Sequence, residues 1–404
     1  MNNRKIVVFL GDGMADEPLD ELDGLTPLQR AHTPAMDAIA REGACGTFRT
    51  LPENYPTSSD VANMSVLGCD LTQEYCGRGP LEAAGRGIPL QNDDIVFRMN
   101  FTTDNNGILE DFSAGHLADE HATAMIAALN QQLATPEMRF FHGVSYRNLL
   151  VLSGGKYSAR VITAKPDDHQ GDKIADHLPQ ALDPAAEKTA QILSQLMLES
   201  REMLEAMEIN RLLRGKGTRM ANGLWPWSGG RPGQMRSFMD KYHLRGAVIS
   251  AVDVIRGLGR CLGMTVLDVP GATGYIDTNY EGKADATLAA LQNHDFVFVH
   301  VEAIDEVSHE GDLQKKLGAI EDFDRRLVSR VLAGMPPQTT VAVLPDHPVP
   351  VKLRKHTRTP VPVAIRGPGI TPDNVARFDE QSCIAGRLGL LQGAAFMQTL
   401  CRCR

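Results

Sequence analysis

The chain has 404 residues, 43% apolar and 23% charged, with a net charge of −9. That length exceeds one ordinary compact core, so two domains are expected, with the composition of a water-soluble globular protein. The acidic excess excludes a general nucleic-acid binder and a ligand of anionic membranes, both of which need a basic surface; a small phosphorylated substrate can still be held in a local basic pocket.

The amino terminus reads MNNRKIVVFLGDG. Its apolar run, Ile6 to Leu10, is shorter than a secretory signal core and meets Gly-Asp-Gly at once, so it reads as a first buried strand. No stretch approaches the roughly 20 apolar residues of a membrane helix, and a cytoplasmic location is expected. Cysteines stand at 45, 69, 76, 261, 383, 401 and 403, scattered and with no CxxC pair. They read as reduced thiols rather than a disulfide framework.

The short apolar runs IVVFL (6–10), GAVISAV (246–252), DFVFVHV (295–301) and TVAVLP (340–345) suit strands buried on both faces, as in parallel sheets. Between them TPAMDAIAREG, ADATLAALQN and LQKKLGAIEDFDRRLVSRVL space their apolar residues as amphipathic helices do. The two ends of the chain therefore predict one doubly wound, mostly parallel α/β domain, residues 1–90 with 226–404. The middle, 91–225, alternates hairpin-like strands (FRMNFTT, GILEDFS, MRFFHGV, YRNLLVLSG) with helices near 119–133 and 184–208. It predicts an inserted α+β cap.

Candidate chemistry gathers at the strand ends. Asp12 sits between two glycines just past the first strand, where its carboxylate can project from the strand end; taken alone it reads first as a turn aspartate. Asp305 and His309 follow DFVFVHV four residues apart, a spacing that stacks both on one helix face, where they can share a divalent ion. His300 and Glu302 are candidates to support such ligands from behind. Asp346 and His347 end the fourth strand, and His356 follows in an extended Pro-containing segment. All six of Asp12, Asp305, His309, Asp346, His347 and His356 fall at or beyond the carboxyl ends of predicted parallel strands, where open α/β sheets place their sites. Three Asp and three His suffice for two metals, and the mixed oxygen and nitrogen set favours Mn²⁺ or Zn²⁺ over Mg²⁺ alone.

A nucleophile is available before the helical stretch in NYPTSSDVANMSVLG, where Thr57, Ser58 and Ser59 fit equally well on physical grounds and helix capping is the everyday role of such hydroxyls. The run GLGRCLG (257–263) has the wrong spacing for a dinucleotide site, and no GxxxxGK[ST] exists to cradle a nucleotide phosphate.

With these residues assembled, the chain resembles the archaeal-type cofactor-independent phosphoglycerate mutases of the alkaline phosphatase superfamily. GDGMAD, HTPAMDAIAREG, SSDVANMSVLGCD, GRGPLEAAGRGI, VPGATGYIDTNYEGKA, FVFVHVEAIDEVSHEGD, LPDH and KHTRTPVPV carry the likeness in order along most of the chain. The resemblance implies an alkaline-phosphatase-like fold and a two-metal site. One divalent ion would take Asp305, His309 and His356; the other would take Asp12, Ser59, Asp346 and His347. It selects Ser59 as the nucleophile, although Thr57-Ser58 stands where the family commonly has Pro-Gly. It implies that Ser59 receives the phosphoryl group of 3-phosphoglycerate and returns it to the other hydroxyl of the retained glycerate. Mn²⁺ is the expected metal, with Zn²⁺, Co²⁺ and Mg²⁺ as alternatives; neither nucleotide nor bisphosphoglycerate is needed.

Basic residues for the substrate are expected from the cap and the domain junction, with Arg147, Arg219, Lys241 and Arg256 as candidates by position. ANGLWPWSGG and KYHLRGAVISAVDVIRGLG are also similar to a bacterial subgroup proposed to be homoserine kinases, and phosphopentomutase or simple phosphatase chemistry is open within the superfamily. No nucleic-acid or membrane partner is expected, and a homo-oligomer is left open.

Overall fold

The computed structural model describes residues 4–233 and 235–402; Cys403 lies outside them. The chain forms two compact units, Met1–Tyr75 with Gln234–Arg404, and Cys76–Gly233. Cys45, Cys69, Cys261 and Cys383 are free thiols. Among the described residues no helix is long and apolar enough to cross a membrane.

The first unit is built on an eight-stranded sheet. In spatial order its strands are Thr265–Leu267, Gly246–Ile249, Phe296–Val301, Lys5–Gly11, Thr339–Leu344, Val361–Arg366, Ala44–Arg49 and Gly389–Gln392. Of these only Val361–Arg366 runs against the others. The expected mostly parallel α/β sheet is therefore present. Its central strands IVVFL, FVFVHV and TTVAVL are wholly buried, as β-branched runs covered by helices on both faces should be. The predicted helices form at Pro34–Arg41 and Tyr280–Asn293. A third runs through Leu313–Asp322, a π-helical Phe323–Val328 and Ser329–Gly334.

The central strands are in register so that their carboxyl ends coincide. Leu10 lies opposite His300 on one side and Leu344 on the other. Whatever follows Leu10, Val301 and Leu344 is thereby delivered to one edge of the sheet, which sets the site.

The second unit is a five-stranded antiparallel sheet with helices, the α+β content expected of the insertion. Ile95–Asn105 pairs with Ile108–Asp111, Arg147–Leu152 and Gly223–Gly230, and Met138–Val144 pairs with Arg147–Leu152. Leu193, Leu196 and Leu204 of the helix Glu187–Glu205 join Phe97, Phe101 and Leu224 in its core.

The unit boundaries fall at 76 and 233, not at the expected 91 and 225. The helix Arg78–Gly85 places Ala83 in a buried cluster with Val96, Leu149 and Val151. A side chain at Gly79 would lie 2.4 Å from the Val96 carbonyl, so GRGPLEA is shaped for this sheet. GLWPWSGG is a strand of the same sheet; its Pro sits opposite Met99.

Candidate active site

Asp12 follows directly on Gly11, and its amide donates to the Val301 carbonyl at 2.9 Å, extending the central pairing by one residue. Gly13 then turns the chain at φ +63; a Cβ there would lie 2.8 Å from Cα and Oδ1 of Asp305. Both the backbone angle and the space demand glycine, and its absent side chain lets Asp12 and Asp305 approach. Asp305 and His309 project from the helix Ala303–Glu310, which starts immediately beyond the Phe296–Val301 strand.

Asp305, His309 and His356 converge. His309 Nε2 lies 2.9 Å from His356 Nε2, and each is 3.5 Å from a carboxylate oxygen of Asp305. Four-coordinate ligands at about 2.0–2.1 Å from a metal are separated by about 3.3 Å, so these edges suit one ion. Each ring is held from behind. His309 Nδ1 donates to the Arg354 carbonyl at 2.9 Å and His356 Nδ1 to the Thr57 carbonyl at 3.1 Å. A backbone carbonyl can only accept, so each Nδ1 carries a proton and each Nε2 is the nitrogen turned to the cluster.

Asp12, Asp346 and His347 form the adjoining group, with His347 Nε2 3.4 Å from Asp12 Oδ1 and 3.4 Å from Asp346 Oδ2. His347 groups as readily with Asp305 and His356. Asp346 is fixed by the amides of Gly13 at 3.2 Å and His347 at 2.8 Å, and by Asn63 Nδ2 at 2.9 Å. Asn63 also donates to the Ser59 carbonyl at 2.8 Å, tying this carboxylate to the serine helix.

The three hydroxyls left open by the sequence now differ. Ser59 is the first residue of the helix Ser59–Val66, and its Oγ lies 3.2 Å from His347 Nε2. Ser58 occupies the N-cap position without making a capping bond, and its Oγ is buried with no hydrogen-bond partner. Thr57 is exposed and offers its carbonyl to His356.

Charge is badly balanced here. Burial, together with the negative charges of Asp346, Glu302 and Asp305, raises the Asp12 carboxyl well above its ordinary range. Burial and the charges of Glu302 and Asp346 do the same to Asp305, and burial pushes Asp346 up to about 7. His347 is pushed far down by burial and by the neighbouring His356, His309 and His300, and so is neutral. Asp12 Oδ1, Asp305 Oδ1 and His347 Nδ1 are buried without hydrogen-bond partners. Crowded buried carboxylates beside neutral imidazoles are a donor set that fits divalent cations.

Two supports lay at the edge of what the sequence offered. His300 is completely buried; its Nε2 donates to Asp12 Oδ2 at 2.8 Å and its Nδ1 lies 3.2 Å from Ser250 Oγ. Asp12, His300 and Glu302 also lie close enough to hold an ion. Lys316 was not foreseen. Its buried ammonium donates to Asp16 Oδ2 at 2.8 Å, Val349 O at 2.9 Å and Gly13 O at 3.1 Å, binding the Asp12 loop to the segment after His347. A signal existed: in LQKKLGAIEDF, Lys316 falls three residues after Leu313 and four before Ile320, on the buried face.

The four basic candidates separate. Lys241 pairs with Glu74 at 2.6 Å and Arg256 with Asp268 at 2.7 Å, both in the first unit. In the second unit Arg219 pairs with Asp111. Arg147 acts, with Arg78 and Arg98, on the carboxylate of Glu82. Arg78 lies 2.7 Å and Arg98 3.2 Å from that carboxylate, and Arg98 also covers the Trp227 ring at 4.5 Å. Burial raises the Glu82 carboxyl, but the three guanidinium groups outweigh it and hold it low. Three cations around one anion leave a net positive centre, in which Arg147 Nε is buried without a hydrogen-bond partner.

Comparison with known proteins completes the picture. Residues 40–210 match the family model described as 2,3-bisphosphoglycerate-independent phosphoglycerate mutase. A relative of that name from Methanosarcina acetivorans is 45% identical over 394 residues, covering 96% of this chain and 98% of its own. Among solved structures, a Pyrococcus horikoshii protein superposes with TM-score 0.84 at 28% identity, over 99% of this chain and 98% of that one. The cofactor-independent phosphoglycerate mutase of Thermoplasma acidophilum superposes with TM-score 0.66 at 29% identity, over 99% of both. Near-complete coverage at 45% identity shows the family: the chain belongs to the 2,3-bisphosphoglycerate-independent phosphoglycerate mutase family.

Proposed function

We propose that the protein is an intramolecular phosphotransferase that interconverts 3-phosphoglycerate and 2-phosphoglycerate through a phosphoserine at Ser59. Ser59 Oγ forms the bond to phosphorus as the bond from phosphorus to glycerate O3 breaks. The proton given up by Ser59 is balanced by the one gained at O3. Glycerate turns without leaving, and its O2 takes the phosphoryl group back. What supports this reading is the placing of Ser59 Oγ, 3.2 Å from His347 Nε2, on a cluster of buried Asp and His side chains at the carboxyl ends of the central strands.

Each residue has a task in this account. Asp305, His309 and His356 would hold one divalent ion, and Asp12, Asp346, His347 and Ser59 the other. Such ions supply charge neutralisation and alignment for an in-line displacement. The first turn of the Ser59–Val66 helix favours the dianionic phosphoserine through its amides and dipole. Asn63 holds that turn to Asp346, so nucleophile and ligands move as one body. His300 keeps Asp12 oriented. Of the four basic candidates Arg147 is the one that would bind the substrate's anionic groups, since its Nε is buried without a hydrogen-bond partner, whereas Arg219, Lys241 and Arg256 already have carboxylate partners. The mixed donor set suits Mn²⁺ first, with Zn²⁺, Co²⁺ and Mg²⁺ as alternatives.

The test is phosphorus NMR of Mn²⁺-loaded protein with 3-phosphoglycerate, without nucleotide or bisphosphoglycerate. The account predicts a 2-phosphoglycerate resonance growing to a fixed ratio. Free phosphate alone would make the protein a phosphatase and overturn the proposal.

A further inference from the structure

The second unit carries a cluster that the mutase account does not use. Residues 163–179 leave the sheet as an irregular excursion between the short paired strands Val161–Ile162 and Gln180–Ala181. Two 3₁₀ turns, Pro166–His169 and Ile174–His177, each end on a histidine. Between them, backbone pairing fixes Asp172. The Leu109 amide donates to the Asp172 carbonyl at 2.9 Å, Gly171 N donates to Leu109 O at 2.7 Å, and Ile174 N to Gly107 O at 2.9 Å.

His169 Nδ1 lies 3.1 Å and His177 Nε2 lies 2.9 Å from the same oxygen, Asp172 Oδ2. The two rings stack with centroids 3.8 Å apart. Two imidazole nitrogens and a carboxylate oxygen thus converge from a hydrogen-bonded stretch of backbone, with all three donor atoms within 4.8 Å of one another. Ligands on a four-coordinate Zn²⁺ stand about 3.3 Å apart, close to these edges. The side chains are 29%, 50% and 20% exposed, open enough for an ion to enter and for water to fill the remaining position.

We infer that His169, Asp172 and His177 form a separate binding site for a borderline-soft divalent ion, with Zn²⁺ or Ni²⁺ as the chemical class. Two nitrogens and one oxygen discriminate against Mg²⁺, which asks for oxygen ligands. Bound metal would clip the two 3₁₀ turns together and close the excursion. His177 also lies 6.3 Å from the Trp225 ring, whose Nε1 donates to the Ala164 carbonyl at the mouth of the same excursion. A quenching ion bound here is therefore reported by tryptophan fluorescence.

The experiment titrates Ni²⁺ into the full chain held in saturating Mn²⁺, and measures Ni²⁺ retained per chain after gel filtration together with tryptophan emission. The wild type should retain one more Ni²⁺ per chain than His169→Asn/His177→Asn, and should lose emission that the variant keeps. Asp172→Asn should weaken the uptake at least tenfold, and His356→Asn, in the other cluster, should leave the quenching intact. Far-UV circular dichroism checks each variant, and Asp172→Asn alone carries the test should the double variant not fold. Equal Ni²⁺ content and equal quenching in wild type and Asp172→Asn would overturn the assignment.

Discussion

Ser59 Oγ lies 3.2 Å from His347 Nε2, whereas the hydroxyl one residue earlier, on Ser58, is buried with no hydrogen-bond partner. Adjacent serines at a helix start are usually rivals for the same capping bond. Here neither caps, and only one reaches the cluster. Ser59→Ala is therefore expected to lower kcat at least about a thousandfold, in the range seen when a nucleophile is removed. Ser58→Ala should stay within about tenfold of wild type. Steady-state assays of both variants, with bound metal quantified, check the assignment.

Lys316 and Asp16 form a fully buried pair at 2.8 Å that joins the loops carrying Asp12 and His347. Lys316→Met leaves Asp16 buried and unneutralised. Breaking such a pair costs roughly 3–5 kcal/mol. Urea unfolding should show this loss, and the metal affinity of the variant should fall as the loops come apart.

Metal removal should act on both activity and stability. Crowded carboxylates that face one another without a cation oppose folding, so chelation should abolish turnover and lower the melting temperature. An ion present at a hundred times its Kd stabilises by about 2.7 kcal/mol. Calorimetry of chelated and Mn²⁺-loaded protein measures the difference, and Asp305→Asn, which removes a ligand of one of the two ions, should reduce it.

Much of this was legible in the sequence because it rests on short-range pattern. Apolar runs such as FVFVHV announce buried strands, and Asp or His just beyond them can only stand at the strand ends. What escaped depends on long-range placement. Lys316 sits 300 residues from its partner Asp16. Nothing in SSD says which hydroxyl meets a histidine 288 residues away. The sheet to which GRGPLEA belongs is decided by Val96, Leu149 and Val151, which local periodicity cannot see.

Asp324 gives a prediction in pH. It is wholly buried in the π-helical segment and accepts from the Met36 amide at 2.7 Å and the Ala35 amide at 3.1 Å, capping a helix whose own Thr33 makes no capping bond. Burial outweighs those two hydrogen bonds and raises its carboxyl to about 6 from an ordinary 3.8. The folded chain then holds this proton more tightly than the unfolded one, so the group's contribution to stability falls as pH rises from about 4 to about 6. The change is on the order of 3 kcal/mol. Asp324→Asn should flatten that part of the profile in urea unfolding across the window.

Arg147 is the most dispensable member of the arginine cluster for folding, since Arg78 and Arg98 make the close contacts with Glu82. Arg147→Met should raise KM for 3-phosphoglycerate by about 10-fold to 100-fold, the loss expected of a charged hydrogen bond. Thermal stability should change little. Initial-rate kinetics beside a melting curve separates binding from folding.

The central claim is that Ser59 itself carries the phosphoryl group between the two hydroxyls of glycerate. Rapid acid quench of Mn²⁺-loaded protein turning over ³²P-labelled 3-phosphoglycerate, followed by peptide sequencing, tests it most directly. The account predicts label on Ser59, absent in Ser59→Ala and chased into 2-phosphoglycerate by unlabelled substrate. Formation of 2-phosphoglycerate with no labelled serine, or with the label on Ser58, would contradict it.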